Sequence, residues 1–557
     1  MNQKIKKNIV PISFFSLATV LILWQTLLPG YILSLDMIFT PKIKVIFGEG
    51  FFYNTLVYKY VFSFFNYLLS GWLIQKIVFA ALFFCLGFLI YYYLPLPKKS
   101  AGAFWAGLFF MANPFVYERF LAGHWPLLLG LAFFAPLFFW TFNFAKNPQL
   151  KPAFWQIFWL ILISFFSIHA LVMAAVLIAV YDLLILIRNL IIKNHSWLKK
   201  YFGYRFLGVI IFLVISSYWL LPYFLDFQNS VITNFDQKNL EVFKSVNDPR
   251  LGIFLNVLSL HGFWGENQEW AKYFLWPKDN FIFWLFIFGL LMVIIAGGIV
   301  ISIKDKMNQE KSFYLLAGSL GLIFALGVNQ TIFQGLNEWL FTHLWFWRGF
   351  RDSQKWSGLL LLSYAYFGGV SVNYWFNRLR QIKLNHSKTF LLVCFGIIFF
   401  YTYPIWGGFS RQLKPAWYPL SWFSANDFFN QDKSEFEILI LPWHQYLSFD
   451  FNQKLIIQNP VKEFFDHEVI SGENMEIGGI YSQASAPKVQ KIENILLKTN
   501  DLKTDEVVAR LREEGIKYIL HFNEFKTVDE SIVFNFNASR LLKKALDLPE
   551  LTIYEIL

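Results

Sequence analysis

Cysteine is nearly absent. The 557 residues hold two, Cys85 and Cys394, each inside an apolar run. Two such residues build neither a disulfide framework nor a cysteine metal site. Charged residues are also scarce, at 15% of the chain, well below the share of a soluble domain. No repeat of 20–50 residues is visible, which argues against a solenoid or a propeller. HExxH, a DxD pair, the P-loop and GxSxG are missing too, so the chemistry must come from residues outside those signatures.

What fills the chain is hydrocarbon. Hydrophobic residues make up 56% and aromatic residues 21%, with 67 Phe and 22 Trp. Apolar runs of about 18 residues or more, enough to cross a bilayer, recur. "IVPISFFSLATVLILWQTLLPGYIL" and "NFIFWLFIFGLLMVIIAGGIVISI" are clear cases. A membrane barrel would alternate in short strands, so the expected fold is an α-helical polytopic membrane protein. About 11 transmembrane helices are expected, near 9–33, 73–95, 101–114, 125–145, 153–168, 170–188, 206–225, 280–303, 312–328, 356–376 and 389–406.

The formal charge of +11 does not point to nucleic acid, because the basic residues sort by loop. "MNQKIKKN", "PKKSA", "AKNPQLK", "RNLIIKNHSWLKKYFGYR", "KDKMNQEK" and "NRLRQIKLNHSK" are short, basic and poor in acids. They fall on alternate sides of the spans. That is the positive-inside pattern, which puts Met1 and these loops in the cytoplasm and the tail outside. The first span is too long for a signal-peptide core, and no small-residue cleavage site follows, so it reads as a retained anchor. The expected location is a multi-pass protein of the plasma (inner) membrane.

The multi-span region is expected over 1–406, with outer segments at 35–72, 114–124, 226–280 and 329–356. In the first, Lys, Glu and Tyr sit among aromatics, as in helices lying in the interface plane. After residue 406 the composition shifts toward Asp, Glu, Lys and Asn. "FEILILPW" reads as a buried strand with a Pro stop. "TDEVVARLREEGIKYILHF" reads as an N-capped helix, a break at Gly515 and a strand. "ELTIYEIL" reads as another strand. A small extracytoplasmic α/β domain is therefore expected over 407–557.

Several polar residues stand out against this background. Asp36 follows "LLPGYILSL" at the outer mouth of the first span. A carboxylate beside hydrocarbon is costly and functionally suspect, and desolvation would raise its pKa toward that of a general base. The plainer reading is a loop-start Asp meeting water. "MANPFVYERFLAGHWPLLLG" holds Glu118, Arg119 and His124 at one membrane edge. Glu118 and Arg119 either neutralise each other or bind a polar ligand; a solvated ion pair in a connector is the alternative. "WFWRGFRDSQKW" spaces Arg348, Arg351 and Lys355 to share one helix face. Arg and Lys suit phosphate oxygens, with Asp352 placed to orient one arginine. Lipid snorkelling is the rival there. His169 marks a hairpin tip, and "HGFWGE" adds His261 and Glu266 on the same side. In "LPWHQYLSFDF", His444 and Asp450 read as structural.

The layout resembles the type C (GT-C) glycosyltransferase superfamily. "NPFVYERFLAGHWPLLLG" and "RGFRDSQKW" are similar to patterns in the membrane region of arabinofuranosyltransferase-like proteins of bacterial envelopes, and "LPWHQYLSFDFNQKLIIQNP" resembles tails of prokaryotic relatives. The resemblance covers roughly 1–406 at the level of layout. It implies a lipid-linked sugar donor on a polyprenyl phosphate, a glycan, lipid or protein acceptor on the outer face, and a catalytic acid in the first outer loop, a position that Asp36 matches. Many members carry two acids there, whereas this sequence has Asp36 and then Glu49, with Glu118 as the other candidate. A divalent metal is thus left open. The expected function is a hexosyl- or pentosyltransferase with Asp36 as base. Glu118, Arg119, His124, His169, His261 and Glu266 would bind substrate, and Arg348, Arg351 and Lys355 the phosphate. The alternatives are a flippase for lipid-linked glycans and a non-catalytic envelope assembly protein. A flippase would show inverted repeats and broken midplane helices.

Overall fold

The computed structural model describes residues 3–46, 53–225, 232, 235–268, 270–273, 275–474, 476–477, 480–481, 486–497, 504–525 and 539–557. Six helices among them are long and apolar enough to cross a membrane: Gly71–Tyr93, Trp125–Lys146, Ile168–Ile191, His195–Leu225, Phe281–Lys304 and Leu384–Tyr401. Two shorter apolar helices cover Ile9–Leu23 and Leu150–Phe166. The other three expected spans are helical but differ in kind. Ala101–Met111 has 11 residues, Gln309–Ala325 has 17, and Ser357–Ile382 is more polar and mostly buried. So the expectation of about 11 membrane-crossing helices is met by length and hydropathy in six.

Burial explains the polar helix. Ser357–Ile382 packs against Ala101–Met111, Phe281–Lys304, Gln309–Ala325 and Leu384–Tyr401. A helix surrounded by protein need not present apolar side chains to lipid. Small residues let its neighbours come close: a Cβ on Gly298 would fall 1.8 Å from the Phe367 carbonyl oxygen, and one on Gly102 2.0 Å from that of Gly369.

The first span also departs from expectation. Its helix ends at Leu23 rather than near residue 33, because "LPG" follows: Gly30 takes φ +114°, which only glycine adopts freely. The freed chain crosses the end of the bundle. The alternating course of the helices brings that crossing, the 112–124 turn, the start of Ile168–Ile191, and the 326–356 connector to the same end. Part of the first outer segment, including Glu49, lies outside the described residues.

Beyond the last bundle helix the chain folds back before it forms a sheet. Gly407 and Gly408 donate to the carbonyls of Leu21 and Ile22, and Tyr31 pairs with Ala416 as an antiparallel bridge. The strands are β1 Glu437–Leu441, β2 Tyr446–Leu447, β3 Ile457–Gln458, β4 Glu468–Ile470, β5 Glu476–Ile477, β6 Ile480–Tyr481, β7 Ile516–Phe522, β8 Leu542–Asp547 and β9 Leu551–Ile556. The main sheet has the order β4-β1-β7-β9-β8; β4, β1 and β7 are parallel, and β9 runs antiparallel to β7 and β8. Thr504–Glu513, Gly515 at φ +90°, and β7 form the expected helix-to-strand step. One face buries Leu439 and Ile519 beneath the helices Pro487–Leu497 and Thr504–Glu513. The other shares the bundle's core: Trp422, Phe449 and Ile457 belong to the same buried cluster as Phe79 and Phe120.

Candidate active site

The turn of the opening polar stretch is built locally. Asn113 caps the helix Pro114–Leu121 by accepting from Val116 N, with Pro114 in the first turn, where its missing N–H costs nothing. Every residue of that helix is buried, so the stretch is no solvated connector. Gly123 follows at φ +83°, and a Cβ there would lie 2.3 Å from Met37 N and 2.6 Å from Asp36 C. The absent side chain lets the Asp36 loop pass. Asp36 N donates to the Ala122 carbonyl at 3.3 Å, and Ser34 Oγ to that of Leu121 at 2.6 Å.

A connected chain of polar contacts starts at Arg119. Its guanidinium makes a two-pronged pair with Asp352, Nη2 lying 2.8 Å from Oδ1 and Nη1 against Oδ2. Its Nε donates to Gln354 Oε1 at 2.9 Å, and the group lies 4.6 Å from the Phe263 ring centroid. Arg119 therefore pairs with Asp352 and not with its neighbour Glu118. Arg119 Nη1 also lies 3.2 Å from His124 Nδ1. A guanidinium only donates, which assigns the acceptor role to Nδ1 and the proton to Nε2. His124 Nε2 then donates to Asp36 Oδ2 at 3.2 Å. On the other side, Tyr446 Oη donates to Asp36 Oδ1 at 2.7 Å.

Asp36 is walled in by protein yet keeps 38% of its side chain accessible, while Arg119 and Asp352 keep 0% and 6%. Burial alone would raise its pKa, but the hydrogen bonds from His124 and the Tyr446 hydroxyl and the positive charge of Lys355 outweigh that and hold it below the usual carboxylate range. This corrects the expectation of a raised pKa. The carboxylate is ionised at neutral pH and is a weak base. His124 is held below its usual range by burial, with Arg119 and Lys355 adding to the effect against Asp36. It is neutral.

The basic segment is not one helix. Trp345–Phe350 and Ser353–Trp356 are two 3-10 turns broken at Asp352, which has ψ 82°. The spacing of Arg348, Arg351 and Lys355 therefore does not set them on a shared α-helical face. Lys355 Nζ turns inward, 3.9 Å from Asp352 Oδ2 and 3.2 Å from His169 Nε2. Burial, partly offset by Asp352, pushes its pKa down to about 8. Arg351 lies over Phe235 and Phe243, at 3.5 and 4.5 Å from the centroids. Burial lowers its pKa to about 10 despite the attraction of Asp352 and Asp36. Arg348 sits one turn earlier, half-buried, and its carbonyl accepts from Arg351 N.

Asp36, Arg119, His124, His169, Arg351 and Lys355 thus converge. The other expected residues lie behind them. Burial and the neighbouring Glu266 carboxyl push Glu118 well above its usual range, so it is protonated and donates to Glu266. Glu266 also accepts from Gly262 N and Asn256 Nδ2. This pair braces the wall through Gln354, whose Nε2 lies 3.3 Å from Glu118 Oε2. His261 packs 5.4 Å from Trp284, 3.0 Å from Ser259 Oγ, and burial drives it down to about 3. His444 pairs with Glu476 at 2.8 Å, on the sheet region.

A metal bridged between Asp36 and Glu118 does not fit these residues, and Glu49, the other candidate acid, lies outside the described residues. Both Asp36 oxygens accept from protein donors, and Glu118 turns to Glu266. Among the described residues no three His, Cys, Asp or Glu side chains converge as ligands. Sequence reading missed Gln354 and Tyr446. Tyr446 stood in a singled-out motif, but beside a His and an Asp that drew the attention.

No family model and no curated protein matches the sequence. Solved structures do. Arabinofuranosyltransferase AftD from Mycobacteria matches 98% of this chain at 12% identity with a TM-score of 0.63. A mutant form of AftD matches the same share at 13% identity and a TM-score of 0.60. The fold is similar to that of AftD. This chain spans about 40% of the AftD chain. The likeness runs past the bundle into the sheet region, because it covers nearly all of this chain. At such identity it establishes architecture and carries no residue roles with it.

Proposed function

We propose that this chain is a membrane glycosyltransferase that moves a sugar from a polyprenyl-phosphate donor to an envelope glycan, lipid or protein acceptor on the outer face. The observation that carries the reading is the accessible Asp36 carboxylate, oriented by His124 and set in the field of Lys355. The loops at the opposite ends of the helices, "PKKSA" and "NRLRQIKLNHSK" among them, are basic. By the positive-inside bias those ends are cytoplasmic, which puts Asp36 outside.

The acceptor hydroxyl gives its proton to Asp36 and its oxygen bonds to the anomeric carbon. The bond from that carbon to the phosphate oxygen breaks, and the polyprenyl phosphate leaves with the electron pair. Lys355 and Arg351 meet the charge that grows on the phosphate. A phosphate is a good leaving group, so a weak base suffices when bond breaking runs ahead of proton transfer. Arg119 and Asp352 fix His124, and His124 fixes Asp36. Asp352 also steadies Lys355.

Transfer of labelled sugar in membranes carrying Asp36→Asn tests the reading. Turnover is expected to fall at least about a hundredfold; unchanged turnover at normal expression would remove Asp36 as base. Movement of intact lipid in proteoliposomes, with the sugar–phosphate bond unbroken, would replace the transferase with a flippase.

A further inference from the structure

Tyr446 does not belong to the helical bundle. It lies on β2, directly opposite Gln458 of β3. β3 also takes on the chain just before Asp36: Leu35 N donates to the Ile456 carbonyl at 3.0 Å, and Gln458 N to that of Leu35 at 2.9 Å. The ribbon that carries Tyr446 is therefore hydrogen-bonded to the residue next to Asp36. Three more ties hold the same loop to the C-terminal region. Asn452 Nδ2 donates to the Leu33 carbonyl at 3.2 Å, Tyr418 Oη to that of Phe39 at 3.0 Å, and Tyr31 pairs with Ala416.

The Tyr446 hydroxyl has one proton, and it goes to Asp36 Oδ1. His124 takes Oδ2 from the bundle side. Two donors on two separate parts of the chain thus fix the plane of one carboxylate. Each oxygen keeps a second lone pair, because a carboxylate offers about four acceptor positions. Burial and the charge of Asp36 keep the Tyr446 hydroxyl protonated, so it stays a donor.

We propose that Tyr446 is a positioning residue for Asp36, so that the sheet region and the membrane bundle build one active site between them. This rests on the reading of Asp36 as the base. It gives the C-terminal region a role in the reaction beyond holding glycan or partners.

The experiment compares the full chain in its membrane with Tyr446→Phe and Asp36→Asn, reading labelled-sugar transfer against pH. Tyr446→Phe keeps the ring and loses the hydrogen bond. Its kcat is expected to fall roughly tenfold with KM within about twofold, as loss of a bond to a charged group implies. The acid limb of its profile is expected to rise, because the lost donor favours the ionised carboxylate. Placing 3,5-difluorotyrosine at 446, whose hydroxyl is a stronger donor, is expected to shift that limb down without disturbing the fold. Wild-type kcat and an unmoved limb in both Tyr446 forms, with Asp36→Asn inactive, would overturn the role of Tyr446 and leave the transferase reading standing. An active Asp36→Asn would overturn the reading itself.

Discussion

Two of the Asp–Arg pairs among the described residues make opposite use of the same chemistry. One joins Arg205 and Asp182 between the helices His195–Leu225 and Ile168–Ile191, at 2.7 Å. Tyr201 Oη donates to the same Asp182 oxygen at 2.6 Å, Gln156 Oε1 accepts from Arg205 Nη1, and the Phe144 ring lies 5.0 Å from the guanidinium. Each charge there is answered by another buried group. The other pair, Arg119 and Asp352, is more deeply enclosed, but its remaining contacts run outward through His124 to an accessible carboxylate. An ion pair inside a membrane helix is a functional suspect by default. The contrast shows that the pair is not enough. A closed network fixes helices against one another, whereas a network ending on an exposed, oriented group can act on a substrate.

The contrast breaks most sharply at its acids. Removing one partner of a buried pair leaves the other charge uncompensated, at a cost of about 3–5 kcal/mol. Asp182→Ala and Asp352→Ala are both expected to lose stability of that order, read as a lower thermal midpoint in detergent. Turnover per folded molecule separates them: unchanged in Asp182→Ala, down about a hundredfold in Asp352→Ala, since Arg119 no longer orients His124. Equal turnover in the two variants would erase the distinction.

Glycines give a milder version. Gly123→Ala forces a Cβ against Met37 N and Asp36 C at a left-handed φ of +83°. It is expected to destabilise by about 1–3 kcal/mol and to reduce turnover further by displacing Asp36. Gly203 lies in the helix of Arg205, where nothing approaches within 4 Å of an added Cβ. Gly203→Ala is expected to be neutral or to stabilise by up to about 1 kcal/mol. Thermal melts of the two variants check this.

The smallest effect is the pH profile. Lys355 is charged below about 8 and loses its proton above, whereas Asp36 ionises below the usual carboxylate range. Activity is expected to stay level through neutral pH and to fall as pH rises past about 8. Lys355→Arg keeps its charge and is expected to move that alkaline limb upward, even if kcat drops. A limb that stays in place would assign it to another group.

Much of the architecture was legible along the chain. "FEILILPW", the Gly515 break and "ELTIYEIL" became β1, a helix-to-strand step and β9. The apolar runs became helices. The span count was not legible, because a helix such as Ser357–Ile382 draws its surroundings from other helices and not from lipid. At the site, Asp36, His124 and Lys355 were visible as polar residues out of place. Their partners were not. Arg119 meets a residue 233 positions away, and Asp36 one that is 410 positions away. Local spacing suggested instead that Glu118 and Arg119 would neutralise each other or bind a polar ligand, and that three cations would share a helix face.

The sequence by itself determined that the chain is helical and apolar, with its charges gathered between the apolar runs. Those properties follow from hydropathy and charge, which act residue by residue. Only the tertiary structure decided which charge answers which, because pairing depends on distances between segments far apart in the chain. It also decided the state of each group. The same kind of carboxyl is protonated at Glu118, where burial and a second acid dominate, and ionised at Asp36, where two donors and a nearby cation outweigh burial.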